Sequence, residues 1–180
     1  MILDATIGSR KIYRGLDKRI NGELIGIDVR KGDFSIDEPT KWAKQEVIIK
    51  PTILADMKYL PFKAEAFHLI VFDPPHTEAG LNSWLYNYYG SWTEHERILT
   101  LRKANKEFAR VLKQNGFLIL KVMPDQLQLT EYLLNNFTFF LPIYTYRSRG
   151  SYSDPQGKQK GAIWAIGLKN PVKEVLIKDE

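Results

Sequence analysis

The sequence predicts an α/β domain on a seven-stranded, mostly parallel sheet, with the last strand antiparallel and helices on both faces. Three observations carry this. Short apolar runs alternate with helical patterns along the chain, the pattern of parallel strands joined by crossover helices. One run, residues 69–72, is continuously apolar and stops at Asp73-Pro74-Pro75, as a central strand buried on both faces does. The last two apolar runs are joined by a long basic loop, which fits an antiparallel pair. At 180 residues the chain makes one domain, expected over 1–170, with 171–180 a tail in which 175–177 can dock.

Taken in order, residues 2–5 form the first strand and lead into a loop carrying Gly8-Ser9-Arg10. Residues 24–29 form the second strand and 52–55 the third; between them the polar stretch 30–44, with Gly32 and Pro39, reads as a loop. Residues 69–72 are the fourth strand. Thr93 followed by Glu96 makes a capping box for a helix that buries Ile98, Leu101, Phe108 and Leu112 and ends at Asn115-Gly116. Residues 117–122 are the fifth strand, 125–135 a helix, 138–146 the sixth strand and 162–168 the seventh.

Composition narrows the function. No apolar run is long enough to span a bilayer, and the first residues lack the basic flank and cleavage site of a signal peptide, so a cytoplasmic protein without a membrane partner is expected. The absence of cysteine excludes disulfides, thiolate zinc sites and cysteine-held iron–sulfur clusters. The three histidines include no pair at metal-ligand spacing, so no catalytic metal is expected, and His68 and His95 read as structural or surface residues. A net charge of +5 and a pI near 9.3 favour an anionic partner, nucleic acid first.

Ligands of open α/β sheets sit at the carboxyl ends of strands. Asp4 and Gly8 follow the first strand, Asp28 ends the second, Asp56 the third and Asp73 the fourth. Asp28 is placed to accept two ribose hydroxyls, and Gly8 lets backbone approach a ligand closely. Each aspartate alone is better read as a helix cap or a solvated turn; four at successive strand ends point to a site. One glycine is not the three-glycine dinucleotide fingerprint, and no phosphate-binding loop is present, so a nicotinamide dehydrogenase or nucleotide hydrolase is disfavoured. The tetrad Asp73-Pro74-Pro75-His76 is the sharpest feature. Its prolines stiffen the turn, the Asp73 carboxylate and the Pro74 carbonyl can accept from one amine, and His76 offers a ring for stacking. As an isolated match, Asp-Pro-Pro is also a plain strand terminator.

The stretch 2–10 with its Gly-Ser-Arg, the segments 55–62 and 66–72, and Asp-Pro-Pro-His together resemble class I S-adenosylmethionine-dependent methyltransferases. The tetrad is similar to the Asp/Asn-Pro-Pro-aromatic signature of amino-methyltransferases acting on adenine N6 or cytosine N4. The whole resembles the small phage and prokaryotic Asp-Pro-Pro-His members, from residue 2 to about 169, including Gly80 to Leu85, Tyr89-Gly90 and the fifth-strand entry at 110–121. The resemblance implies a Rossmann-like methyltransferase domain with S-adenosyl-L-methionine as cofactor. It implies that Asp4 and Gly8 hold the amino acid end of the cofactor, Asp28 the ribose, and Asp56 the adenine amine with Met57 lining that pocket. Ala5, Thr6, Val29 and Asp73 are further cofactor-binding candidates. Asp73, Pro74, Pro75 and His76 are the catalytic candidates. The chain departs from the pattern in its single glycine, in His76 for the usual larger aromatic, and in having no segment the size of a target-recognition domain, so recognition falls to loops or a protein partner.

The expected reaction is methyl transfer to an exocyclic amine of a nucleic-acid base, adenine N6 in DNA foremost. A cysteine-free chain cannot use the covalent route to a ring carbon. Alternatives are the same chemistry on RNA, or a non-catalytic cofactor- or nucleic-acid-binding subunit of a larger complex. Substrate candidates are Trp84 and Tyr89 in the aromatic segment after the tetrad, and Arg147, Arg149, Lys158 and Lys160 in the basic loop; the alternatives there are a packing cluster and a solvated loop.

Overall fold

The computed structural model describes residues 1–8, 23–33, 47–75, 78–80, 84–140, 144–146 and 162–171. Its strands are β1 (Ile2–Asp4), β2 (Leu24–Asp28), β3 (Gly32–Asp33), β4 (Ile48–Ile49), β5 (Ile53–Leu54), β6 (Phe67–Phe72), β7 (Leu112–Val122), β8 (Phe137–Phe139), β9 (Tyr144–Tyr146) and β10 (Ala162–Lys169). Its α-helices are α1 (Trp84–Tyr89), α2 (Glu94–Val111) and α3 (Leu127–Leu133). The main sheet runs β5-β2-β1-β6-β7-β10-β8, with β9 also on β10. The pairings from β5 to β7 are parallel, and β10 is antiparallel to β7, β8 and β9. Strand order reverses at β1, the arrangement that opens a ligand crevice above the carboxyl ends of β1 and β6.

The predicted sheet is therefore present, with its antiparallel last strand. The predicted sixth strand is two pieces, β8 and β9, flanking residues 141–143 outside the described set; both lie on β10. Gly32 is not in a plain loop but in β3, which pairs with β4 as a separate two-stranded ribbon. Residues 9–22 and 34–46, and the tail beyond 171, lie outside the described residues.

The capping box forms as expected: Thr93 Oγ1 accepts the Glu96 N–H at 3.2 Å, and Glu96 Oε2 accepts the Thr93 N–H at 2.8 Å. The helix ends earlier than Asn115-Gly116. Leu112 is already extended (φ −80°, ψ 135°) while its N–H closes the last turn on Phe108 O, so strand follows helix without a loop. Pairing with β6 then jumps from Phe67↔Leu112 to Leu69↔Phe117, and Asn115 takes up the slack at φ 64°. Asn-Gly thus serves a bulge inside the strand, not a helix stop.

The core lies between the sheet and α2 and α3. Leu101, Ala104, Phe108 and Val111 of α2 pack with Phe72, Leu118 and Leu120, and Phe72 meets Phe108 edge-on at 5.1 Å. Burying each of the leucine, valine and phenylalanine side chains stabilises by about 1.5–3 kcal/mol. Arg110 clamps the loop after β5 onto α2. It donates to Leu60 O (2.9 Å), Phe62 O (2.6 Å) and Glu107, which itself accepts the Leu60 N–H at 2.8 Å. No helix among the described residues is long and apolar enough to cross a membrane.

Candidate active site

Strand register assembles the site. β1 is in register with β2 at Asp4↔Gly26 and with β6 at Asp4↔Val71. Extended two residues, this sets Thr6 between Asp28 and Asp73. β6 and β7 pair at Phe72↔Leu120, so Asp73 falls beside Lys121, and Lys121 pairs directly with Trp164 of β10. Asp28, Thr6, Asp73, Lys121 and Trp164 therefore form one row across five adjacent strands.

Hydrogen bonds lock the row. Buried Asp4 accepts the Thr6 N–H at 2.8 Å, turning the chain at the end of β1. The Ala5 and Ile7 N–H groups donate to Val71 O (2.9 Å) and Ile27 O (3.0 Å), tying this loop to both neighbouring strands. Gly8 sits at φ 47°, which a residue with a side chain adopts only with strain; a Cβ there would meet nothing nearer than Thr6 O at 3.7 Å. Thr6 Oγ1 accepts the Asp73 N–H at 2.8 Å, joining the first loop to the Asp-Pro-Pro turn. Asp73 Oδ2 accepts from Lys121 Nζ at 2.6 Å, and the ammonium lies 5.9 Å from the centre of the Trp164 ring. Pro74 is buried and Pro75 half-buried.

Asp28 is only 8% exposed and accepts the Arg30 N–H at 2.8 Å and Arg30 Nε at 3.2 Å. The same guanidinium donates from Nη1 to Tyr86 O (3.2 Å) and Asn87 O (3.3 Å), so Arg30 bridges the end of β2 to α1. Asp56 stands next along: the Ala55 N–H bonds Asp28 O at 3.1 Å, and Asp56 accepts the Lys58 N–H at 2.9 Å and pairs with Lys58 Nζ at 3.2 Å. Met57 packs against the core below it, whereas the Val29 side chain is exposed. On α1, Tyr89 is about half exposed, and burial, then the Asp73 charge, pushes its phenol above the ordinary value of 10.0. Tyr89 thus stands within electrostatic reach of Asp73.

The structure brings Asp4, Ala5, Thr6, Gly8, Asp28, Asp56, Asp73, Pro74, Pro75 and Tyr89 to one end of the sheet. His76, Arg147, Arg149, Lys158, Lys160 and the side chain of Trp84 lie outside the described residues. Arg30, Lys121 and Trp164 were not singled out from sequence. The signal available for Lys121 was a lysine inside an apolar strand, between Leu120 and Val122. Among the described residues no cluster of three or more His, Asp or Glu side chains can hold a metal ion.

No protein-family model matches the chain, and no curated protein does. Solved structures do. A SAM-dependent methyltransferase from Methanosarcina mazei aligns at 15% identity over 93% of this chain and 91% of that one, with a TM-score of 0.55. The N-methyltransferase NodS from Bradyrhizobium japonicum aligns at 13% identity over 94% of this chain and 85% of that one, with a TM-score of 0.54. A chain of the complex between the Haloferax volcanii Trm112 methyltransferase activator and a putative methyltransferase aligns at 11% identity over 95% of this chain and 82% of that one, with a TM-score of 0.51. At such identities the likeness establishes the fold: the sheet is that of the Rossmann-like methyltransferases.

Proposed function

We propose that this chain is an S-adenosylmethionine-dependent methyltransferase whose acceptor is an exocyclic amine of a nucleic-acid base, adenine N6 in DNA foremost. The observation that carries the reading is Asp73. It follows the central strand beside the point where strand order reverses, is fixed by Thr6 and Lys121, and is followed at once by two prolines.

The residues fit the cofactor. Asp28 is a buried carboxylate at the end of β2, suited to two vicinal hydroxyls; Arg30 Nη2 reaches its Oδ2 only at 3.4 Å, a contact hydroxyl donors can replace. Asp56 and Met57 continue the same edge for an adenine amine and ring, and Gly8 leaves open space by the first loop. When bound, the cofactor supplies an electrophilic methyl group on a sulfonium. The chain's own work is to present the nucleophile. Asp73 and the Pro74 carbonyl accept the amine hydrogens, which turns the nitrogen lone pair toward the methyl carbon and favours the positive charge that grows there. The nitrogen sheds one proton, through Asp73, to water.

The net charge of +5 supports an anionic polymer as the substrate. The Haloferax neighbour, found with an activator protein, supports a protein partner for this chain. Labelled methyl transfer to DNA and RNA in parallel, with the modified nucleoside identified, tests the reading. Methyl-adenine in DNA is expected, and label in RNA alone would move the same chemistry to that polymer. Asp73→Ala should abolish transfer in a protein that still folds by circular dichroism; full activity in that variant overturns the mechanism.

A further inference from the structure

Lys121 departs from the usual behaviour of a lysine on a strand. Along β7, Leu118, Leu120 and Val122 are buried in the core, and Lys121 stands between two of them on the opposite face. A lysine at such a place ordinarily sends its ammonium to water along its aliphatic stem. Lys121 does not: it is 21% exposed, and its ammonium is delivered to Asp73, itself 16% exposed, at 2.6 Å. Lys169, buried among the described residues, makes the contrast. Lys169 caps Leu112 O at 2.6 Å, at the helix-to-strand junction, and so has a structural use. The partner of Lys121 is instead the carboxylate assigned to the acceptor amine, and Trp164, its cross-strand partner, flanks it on the far side.

We propose that Lys121 is a specificity-determining residue of this site, which with Asp73 presents a hydrogen-bond donor beside an acceptor and so selects an amine adjacent to an unprotonated ring nitrogen. The inference rests on the methyltransferase reading above. A carboxylate alone accepts from any exocyclic amine. In adenine and cytosine the amine-bearing carbon is also bonded to a bare ring nitrogen, N1 or N3, which accepts. In guanine the amine-bearing carbon is bonded to a protonated ring nitrogen, N1, on its Watson–Crick edge, which an ammonium repels, and to a bare N3 on the other side, so the pair disfavours only the Watson–Crick approach to that amine. Lysine can only donate and an ionised carboxylate can only accept, so the order of the pair is not reversible. A donor and acceptor already in contact at 2.6 Å match two base atoms separated by one ring carbon. A site built to bond a particular polar atom discriminates against an analogue that lacks it.

The test uses single-turnover methyl transfer by the wild type, K121M and K121R on oligonucleotides carrying adenine or 1-deazaadenine, with cytosine and 3-deazacytosine as the second pair. S-adenosylmethionine affinity is measured for each protein. The wild type should lose about 10- to 100-fold in kcat/KM on the deaza base, the range of one hydrogen bond to a charged group. K121M should lose a similar factor on the natural base and no more on the deaza base, with cofactor affinity unchanged; K121R should recover part of the loss. Losses that multiply, so that K121M still responds to the ring nitrogen, overturn the proposal and leave Lys121 a support for Asp73. If K121M fails to fold, the wild type decides alone: equal rates on the two bases overturn the proposal, unequal rates support it. A wild type that methylates no base at all refutes the underlying reading instead, a result distinct from either.

Discussion

Replacing Arg30 with methionine asks whether α1 is held over the site from β2. Arg30 Nη1 lies 3.2 Å from Tyr86 O and 3.3 Å from Asn87 O, both in α1, while Nε and Nη2 face Asp28. Hydrogen bonds from a charged donor are worth about 1.5–3 kcal/mol when well formed. These are long and the guanidinium is 19% exposed, so docking of α1 should weaken by a smaller amount, about 1–2 kcal/mol. A helix of 6 residues cannot hold itself in water, so that loss should appear as local opening. Gly90 provides the readout: its N–H bonds Tyr86 O at 2.8 Å and exchanges with solvent only when the end of α1 opens. Native-state hydrogen exchange should show the Gly90 amide about 5- to 30-fold faster in Arg30→Met, with β6 amides unchanged. Arg30→Lys keeps a charge near Asp28 but lacks the planar fork that reaches both partners, and should fall between. Unchanged exchange at Gly90 would refute the latch, and equal acceleration in β6 would make Arg30 a general support of the fold.

Two further outcomes follow from the packing. The Glu107 carboxyl is held below its ordinary 4.5, first by its hydrogen bond with Arg110 and also by the Leu60 N–H. A depressed acid stabilises fully above its unfolded value and loses that contribution as pH falls below 4.5 toward the folded one. Urea midpoints should therefore drop more steeply below pH 4.5 in the wild type than in Glu107→Gln, and parallel curves would contradict this. Gly26→Ala would place a Cβ 2.5 Å from Ile7 Cγ1, so overpacking should cost about 1–3 kcal/mol in the thermal melt. Adding Ile7→Ala should make the pair less destabilising than the two single changes summed; strict additivity would show that Ile7 is not the obstacle.

Strands were legible because each is a short apolar run with its own punctuation, and the capping box because Thr93 and Glu96 act over three residues. What failed to read depends on contacts far apart in sequence. Asn115-Gly116 has the composition of a helix stop, but the last turn closes on Leu112 because Phe67 takes that residue into the sheet. Gly32 looked like loop until Ile49 paired with it. Asp4, Asp28, Asp56 and Asp73 could be named from their places at strand ends. Arg30 and Lys121 could not, since Tyr86 lies 56 residues from Arg30 and Asp73 lies 48 from Lys121, and each pair meets only once the sheet has formed.

The same dependence explains why the row is held so firmly. Every member stands next to a core residue in sequence: Asp28 follows Ile27, Thr6 follows Ala5, Asp73 follows Phe72, Lys121 lies between Leu120 and Val122, and Trp164 between Ile163 and Ala165, all buried. Side chains on a strand alternate faces, so a slip of one residue between β6 and β7 would do two things at once. It would bring Val122 or Leu120 beside Asp73, and it would turn Lys121 into the layer occupied by Phe108. Burying an unpaired ammonium there costs several kcal/mol, comparable with the net stability of a domain this size. The hydrophobic pattern that selects the register therefore also selects which polar groups meet. No separate interaction is needed to bring Asp73 to Lys121; their 2.6 Å contact follows from Phe72 and Leu120 sharing the core.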